Sequence, residues 1–311
     1  MRGEPEQLAA LGGRALPQRL ALSTEERMAT RTPTEVTTQF LSRAWFGADL
    51  LVGIAAGTRC PNCDHARPGA PVHRRRGGLL SIWRCSGCGL LYRPVGITSP
   101  RVMRAYYTFL YGNADLATDF GAVASPDTIG ARMAAEGKNR LALIERLVPD
   151  AATKTVAIVG CSWGYELLPF RERGIDAFGI EIGETRRAHG RAKLGLEIHA
   201  SPADAAAAGR RADLVISSHM IEHVPALGAY LDAMVTSLRP STMVHIAPHV
   251  DALETDETLA SIIGAEHPLG ITKGFWSHYA ATRSYDVSVH VDGYVPGASC
   301  GEIIACITAI R

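Results

Sequence analysis

The stretch Thr155–Glu181, TVAIVGCSWGYELLPFRERGIDAFGIE, decides the reading of this chain. It opens on a β-branched run (Val156, Ile158, Val159), turns on Gly160-Cys161-Ser162-Trp163-Gly164 and continues as a helix. A second short apolar strand follows and ends on an acid, Glu181. Strand, glycine turn, helix, strand and carboxylate together make half of a dinucleotide-type βαβ unit. Glycines let backbone N–H groups come close to a ligand. An acid about 20 residues beyond the turn can accept hydrogen bonds from ribose hydroxyls. The unit suits a nucleoside-like cofactor.

What the turn lacks narrows the cofactor. Neither GxGxxG nor GxxxxGK[ST] is present, and no lysine adjoins Gly160-x-x-x-Gly164, so a neutral or zwitterionic ligand fits better than a pyrophosphate. On these residues the segment resembles motif I of the class I S-adenosylmethionine (SAM) methyltransferases, matching at Gly160, Cys161, Trp163 and Gly164. It departs at Ile158, where the family carries an acid, and at Ser162, where it carries glycine. Downstream, Asp213-Leu-Val-Ile-Ser-Ser-His-Met-Ile-Glu222-His223-Val-Pro225 reads as a buried strand entering a polar loop. A helix with Leu227, Leu231, Met234 and Leu238 follows, and Arg239-Pro240 ends it. This resembles the Glu-His-Val-Pro segment of the same family, in the same order and at the same separation.

The resemblance covers roughly residues 126–311. It implies an α/β, Rossmann-like, doubly wound seven-stranded sheet with the last hairpin, Tyr285–Val291 and Glu302–Ile310, inserted. It also implies SAM binding by Gly160, Cys161, Ser162, Gly164, Glu181 and Ser218; Tyr107 and Tyr111, in the helical segment ahead of the domain, either close the methionine end or are buried helix tyrosines. In such sheets the ligand sits at the carboxyl edge of the strands, where strand order reverses.

Upstream, Cys60-Pro-Asn-Cys63 and Cys85-Ser-Gly-Cys88 stand 21 residues apart. Each CxxC knuckle offers two thiolates from one tight turn, and two knuckles close a tetrahedral Zn²⁺ site. With four cysteines and no open position the metal is expected to be structural. Disulfides are the alternative, and they need an oxidising compartment. No secretory leader is seen ahead of the knuckles, so a cytoplasmic location is expected. Cys161, Cys300 and Cys306 carry no sequence context that marks a nucleophile.

Methyl transfer requires alignment of the acceptor and removal of any proton it carries. His219, His223, His245, His249, His267 and His278 are the possible bases, since imidazole titrates near neutrality. Glu222-His223 is favoured because it follows the strand at the cofactor edge, and His219 is kept beside it. In the sugar C-methyltransferases that the chain resembles, such a pair sits by the reacting carbon with the histidine as base. The same Glu-His also occurs as a helix-start feature, so both roles stay open. Gly264–Ser277 resembles an element bordering the acceptor pocket, with Phe275 and Trp276 as a flat wall; otherwise it is an irregular loop.

Composition frames these motifs. The 311 residues, 47% hydrophobic, suffice for one α/β core and a small satellite. A net charge of +1 excludes a global polyelectrolyte role. No apolar run approaches the roughly 20 residues that span a bilayer. The expected organisation is an N-terminal extension with one helix (1–55), a zinc ribbon (56–98), a helical linker or cap (99–150) and a methyltransferase domain (151–311). The expected partner is a small polar acceptor: a sugar, nucleotide-sugar or natural-product intermediate, acted on by a monomer or homodimer. Seven arginines against one aspartate between Ala56 and Val95 keep RNA open as a second reading. A non-catalytic SAM-binding role is the third.

Overall fold

A computed structural model describes residues 59–66, 71–75, 80–93, 126–224, 226–253, 257–264, 267–292 and 301–309. Tyr107, the expected helix within 1–55 and most of the expected cap at 99–150 lie outside the described residues.

Two sheets organise the molecule. The larger has the order β6-β5-β4-β7-β8-β11-β10. Its members are β4 (Val156–Val159), β5 (Ala177–Ile180), β6 (Ile198–His199), β7 (Leu214–Ser218), β8 (Thr242–Pro248), β10 (Tyr285–Asp292) and β11 (Glu302–Ala309). The first five strands pair in parallel, and β11 runs antiparallel between β8 and β10. The seven-stranded sheet expected from the resemblance is present, with the final strand inserted. From β4 the chain moves outward to β5 and β6, then returns to β7 on the other side of β4. That reversal opens a crevice at the carboxyl edge.

The β4 run is buried along its whole length because both faces are covered. Alternate residues serve the two faces. Val156, Ile158, Leu214, Ile216, Val244 and Ile246 pack with α1 (Pro126–Leu147) and α2 (Leu168–Glu172). Ala157, Val159, Val215, Met243 and Ala247 pack on the other side with α5 (Leu227–Leu238) and α7 (Lys273–Arg283). The helices α3 (Glu184–Leu194), α4 (Pro202–Ala207) and α6 (Glu257–Ile262) complete the set.

The second sheet, β1-β2-β3-β9, belongs to the cysteine module: β1 (His73–Arg75), β2 (Leu80–Arg84) and β3 (Leu91–Tyr92). Its fourth strand, β9 (Leu269–Gly270), comes from the α/β half and pairs antiparallel with β3. Thr272 Oγ1 donates to the Gly89 carbonyl at 2.8 Å, and the Gly228 N–H donates to Asn62 Oδ1 at 2.6 Å. Cys60, Trp83, Cys85, Cys88, Leu90 and Tyr92 share one apolar cluster with Leu227, Phe275 and Trp276. Among the described residues the ribbon therefore has no separate core of its own; it is one wall of the larger one.

Three local expectations shift. The helix expected over 165–173 begins as a 3₁₀ turn, Tyr165–Leu167, entered from Gly164 at φ 92°. The insert between the knuckles, whose Pro, Gly and Arg content reads as a loop, contains β1. Residues 264–277, read as an element bordering the acceptor pocket or else an irregular loop, hold β9 and the start of α7. Thr272 caps α7, its Oγ1 accepting the Phe275 N–H at 3.0 Å.

Candidate active site

The turn after β4 is built by backbone geometry. Gly160 and Gly164 take φ of 78° and 92°, and a Cβ at Gly160 would overlap Met220 Cγ in the loop after β7. The two signature segments are thus in contact. Ser162 also takes a left-handed φ, 51°, where the resemblance has glycine. It is held there from two sides. Its N–H donates to Glu181 Oε2 at 3.0 Å, and its Oγ accepts from Arg186 Nη1 at 2.6 Å.

Glu181, at the end of β5, is 5% exposed and also accepts the Gly183 N–H through Oε1 at 2.7 Å. Burial pushes its carboxyl above the usual range, while Gly183, Arg186 and Ser162 oppose the rise. Helix α3 braces the turn as well. Arg186 lies 5.4 Å from the Trp163 ring centroid, and His189 packs edge-on against Trp163 at 5.2 Å. The Cys161 sulfur is a core atom: it is buried and lies where a Cβ on Gly179 would reach 2.5 Å. Ser218 closes β7 at the same edge, opposite Ile246.

Beyond Ser218 the chain turns at His219, with φ 48°. Its Nε2 lies 2.7 Å from Glu302 Oε1, and its Nδ1 lies 3.6 Å from Glu222 Oε1. Glu302 is brought here because β11 runs antiparallel, so its first residue lies at the carboxyl edge of the parallel strands. Arg140 from α1 clamps the other side of Glu302 with contacts of 2.6 and 2.5 Å. Burial works against a charged His219, but Glu222 and Glu302 outweigh it and push its pKa up to about 9. With 41% of the side chain accessible, that burial penalty is limited. Glu302 is the counterpart: burial would raise it, but His219 and Arg140 hold it down to about 2. A pKa of about 9 favours the protonated form of His219 at neutral pH.

Glu222 and His223 fall in a 3₁₀ turn, Ile221–His223. Glu222 is 1% exposed, and neither carboxylate oxygen accepts a hydrogen bond among the described residues. Burial would raise its pKa, yet His219 and the fields of His223 and His267 hold it below the usual value. His223 is half-buried, with His267 packed edge-on at 4.4 Å between ring centroids.

Other expected groups fall elsewhere. His245 is buried in β8 with Nδ1 2.7 Å from Ser217 Oγ, and burial lowers its pKa to about 3. Phe275 and Trp276 are both 0% exposed, and Trp276 stacks on His245 at 5.6 Å. They are core side chains joining ribbon to sheet, not a wall of an open pocket. Arg140 and Glu302 escaped the sequence reading. An acid opening an otherwise apolar terminal strand was the one signal available for Glu302.

The four ribbon cysteines converge. Cys60 Sγ lies 3.7 Å from Cys88 Sγ, and Cys63 Sγ lies 3.5 Å from Cys85 Sγ. A tetrahedron with Zn–S bonds of about 2.3 Å has edges of about 3.8 Å, close to both separations. The residues following the two knuckles, Asp64 and Gly89, take φ of 58° and 73°, so both turns close alike. The Cys88 N–H donates to Cys85 Sγ at 3.4 Å.

A parallel sheet with a crevice at its switch point, a glycine turn there and a buried acid on the next strand define a nucleoside-cofactor domain. Residues 133–262 match the family profile described as Methyltransferase domain, which makes this segment a methyltransferase domain. Solved structures that the chain is similar to include magnesium protoporphyrin IX methyltransferase from Synechocystis PCC 6803 with bound S-adenosylhomocysteine. That match has 13% identity and a TM-score of 0.48, covering 68% of this chain and 100% of that one. The methyltransferase domain of a bacterial Hen1, CtHen1, matches at 13% identity and TM-score 0.43, covering 56% of this chain and 97% of its own. DesVI of Streptomyces venezuelae matches at 18% identity and TM-score 0.40, covering 56% and 91%. At such identities the likeness concerns the fold alone. No curated protein matches the chain in sequence. No helix of the described residues is long and apolar enough to cross a membrane.

Proposed function

We propose that SAM binds across the turn Gly160–Gly164, with Glu181 taking the ribose hydroxyls and Cys161, Ser162 and Ser218 contributing backbone and small side chains. Tyr107 is assigned the methionine end. The observation that carries this reading is Glu181: a buried acid, oriented by two backbone N–H groups, at the end of the strand beside the glycine turn. SAM supplies an electrophilic methyl group on a sulfonium. The chain's own work is to align an acceptor and manage its proton.

The loop Ser218–His223 faces that task. His223 is assigned as the base, and the anionic Glu222 stabilises the imidazolium it becomes. His219, already a cation, fixes Glu222 and sets the local field. The acceptor is a small polar molecule: a sugar, nucleotide-sugar or natural-product intermediate. The ribbon's arginines support this over RNA. Arg84 pairs with Asp251 at 3.5 Å and Arg93 is buried, so these two arginines are engaged within the protein and do not face a polyanion. The four cysteines are assigned a structural Zn²⁺.

Calorimetry with SAM and S-adenosylhomocysteine tests the reading. Wild-type protein should bind both, and Glu181→Ala should bind about 10- to 100-fold more weakly, the equivalent of one charged hydrogen-bonding group. Absence of heat with the wild type would end the proposal.

A further inference from the structure

A second group of metal-ligating side chains lies apart from the cysteines. Glu222, His223 and His267 each present a ligand atom, and these atoms all lie within 4.8 Å of one another. Two histidines and one carboxylate on one face form the donor set that binds first-row divalent ions and leaves coordination positions open. The independent observation is Glu222 itself. It is 1% exposed, and both oxygens lack a hydrogen bond among the described residues. The nearest cation, His219 Nδ1, is 3.6 Å from Oε1, too far for a hydrogen bond. A buried anion left this way is costly unless a cation or donor meets it.

Placement adds to the argument. Glu222 and His223 follow β7 at the cofactor edge, and His267 stands two residues ahead of β9, where the ribbon joins the sheet. Zinc bonds of about 2.0–2.2 Å require ligand atoms about 3–3.5 Å apart. Loop-borne, half-buried imidazoles can draw in that far by small side-chain rotations.

We propose that Glu222, His223 and His267 bind a divalent transition-metal ion of the zinc type. Its open positions would take a neighbouring pair of oxygens on the acceptor. The metal site stands on the ligand geometry, and only its oxygen-bearing occupant rests on the methyl-transfer reading above. With the ion bound, His223 would serve as a ligand in place of the base role it has in the metal-free protein, and the ion would lower the acceptor hydroxyl's pKa.

The test is metal stoichiometry on the full chain. After equilibration with Zn²⁺, the wild type should hold two equivalents, and His267→Ala should hold one. The second-site affinity should fall by more than the roughly 10- to 100-fold typical of losing an outer-shell partner. Co²⁺ separates the sites: the cysteine centre shows thiolate charge transfer, whereas the second equivalent adds only weak visible bands, absent in His267→Ala. His267→Gln, which keeps a polar side chain, should lose the same equivalent if a fold defect is not the cause. One equivalent in the wild type, or a second that survives in both variants, overturns the site. SAM calorimetry on the same samples separates the two readings. Two equivalents without SAM binding would refute the cofactor assignment and leave the metal site standing.

Discussion

His219 shows how a single residue is defined by neighbours that sequence cannot place. Its ring sits between Glu222 and Glu302, residues separated in sequence but joined by strand order. The folded pKa, about 9, lies above the unfolded value near 6.5, so the folded state binds the proton more tightly. The stability this gives is fully present below pH 6.5 and is lost as pH rises through 9. Thermal melting from pH 6 to 10 should show wild type ahead of His219→Asn at the acid end, with the gap closing near pH 9. A gap independent of pH would contradict the clamp. Arg140→Ala should be more damaging, because it leaves the buried Glu302 with His219 alone. A loss of about 3–5 kcal/mol in denaturant unfolding is expected for breaking such a pair. None of this was legible beforehand: Arg140 and Glu302 carry no motif and meet only because β11 runs backwards beside β8.

At the scale of elements, legibility follows periodicity. The runs 156–159, 177–180 and 214–218 are apolar stretches bounded by glycine, charge or turn residues, and they became strands within a residue of expectation. Helix α7 did not announce itself. Its apolar positions, Phe275, Trp276, Tyr279 and Ala280, follow Thr272, but Gly274 and the resemblance to a loop element obscured the cap. The turn after β4 was readable as a motif, but the left-handed Ser162 was not, since serine normally avoids that region. The close approach of this turn to the loop after β7 supplies a test. Gly160→Ala places a Cβ against Met220 and strains a φ of 78°. It should destabilise by about 1–3 kcal/mol and weaken SAM binding, read by denaturant titration and calorimetry. An alanine variant matching the wild type in both would show that the two segments do not meet as described.

For the whole molecule, the cysteine spacing foretold a four-cysteine cluster, but not that its sheet would be completed by β9 or that its apolar side chains would merge with the main core. The merging predicts cooperative unfolding. Calorimetric scans should show one transition for ribbon and α/β half together, and a strong zinc chelator should lower that transition as a unit. A separate low-temperature step removed by the chelator, with the main transition unmoved, would show an autonomous ribbon.

The bond from Thr272 to the Gly89 carbonyl spans 183 residues. During synthesis, the knuckles leave the ribosome long before the strand that finishes their sheet. A nascent ribbon can gather its thiolates around an ion early, yet its outer edge stays open until β9 emerges. Any shortened form ending before that strand would carry an unpaired, aggregation-prone border.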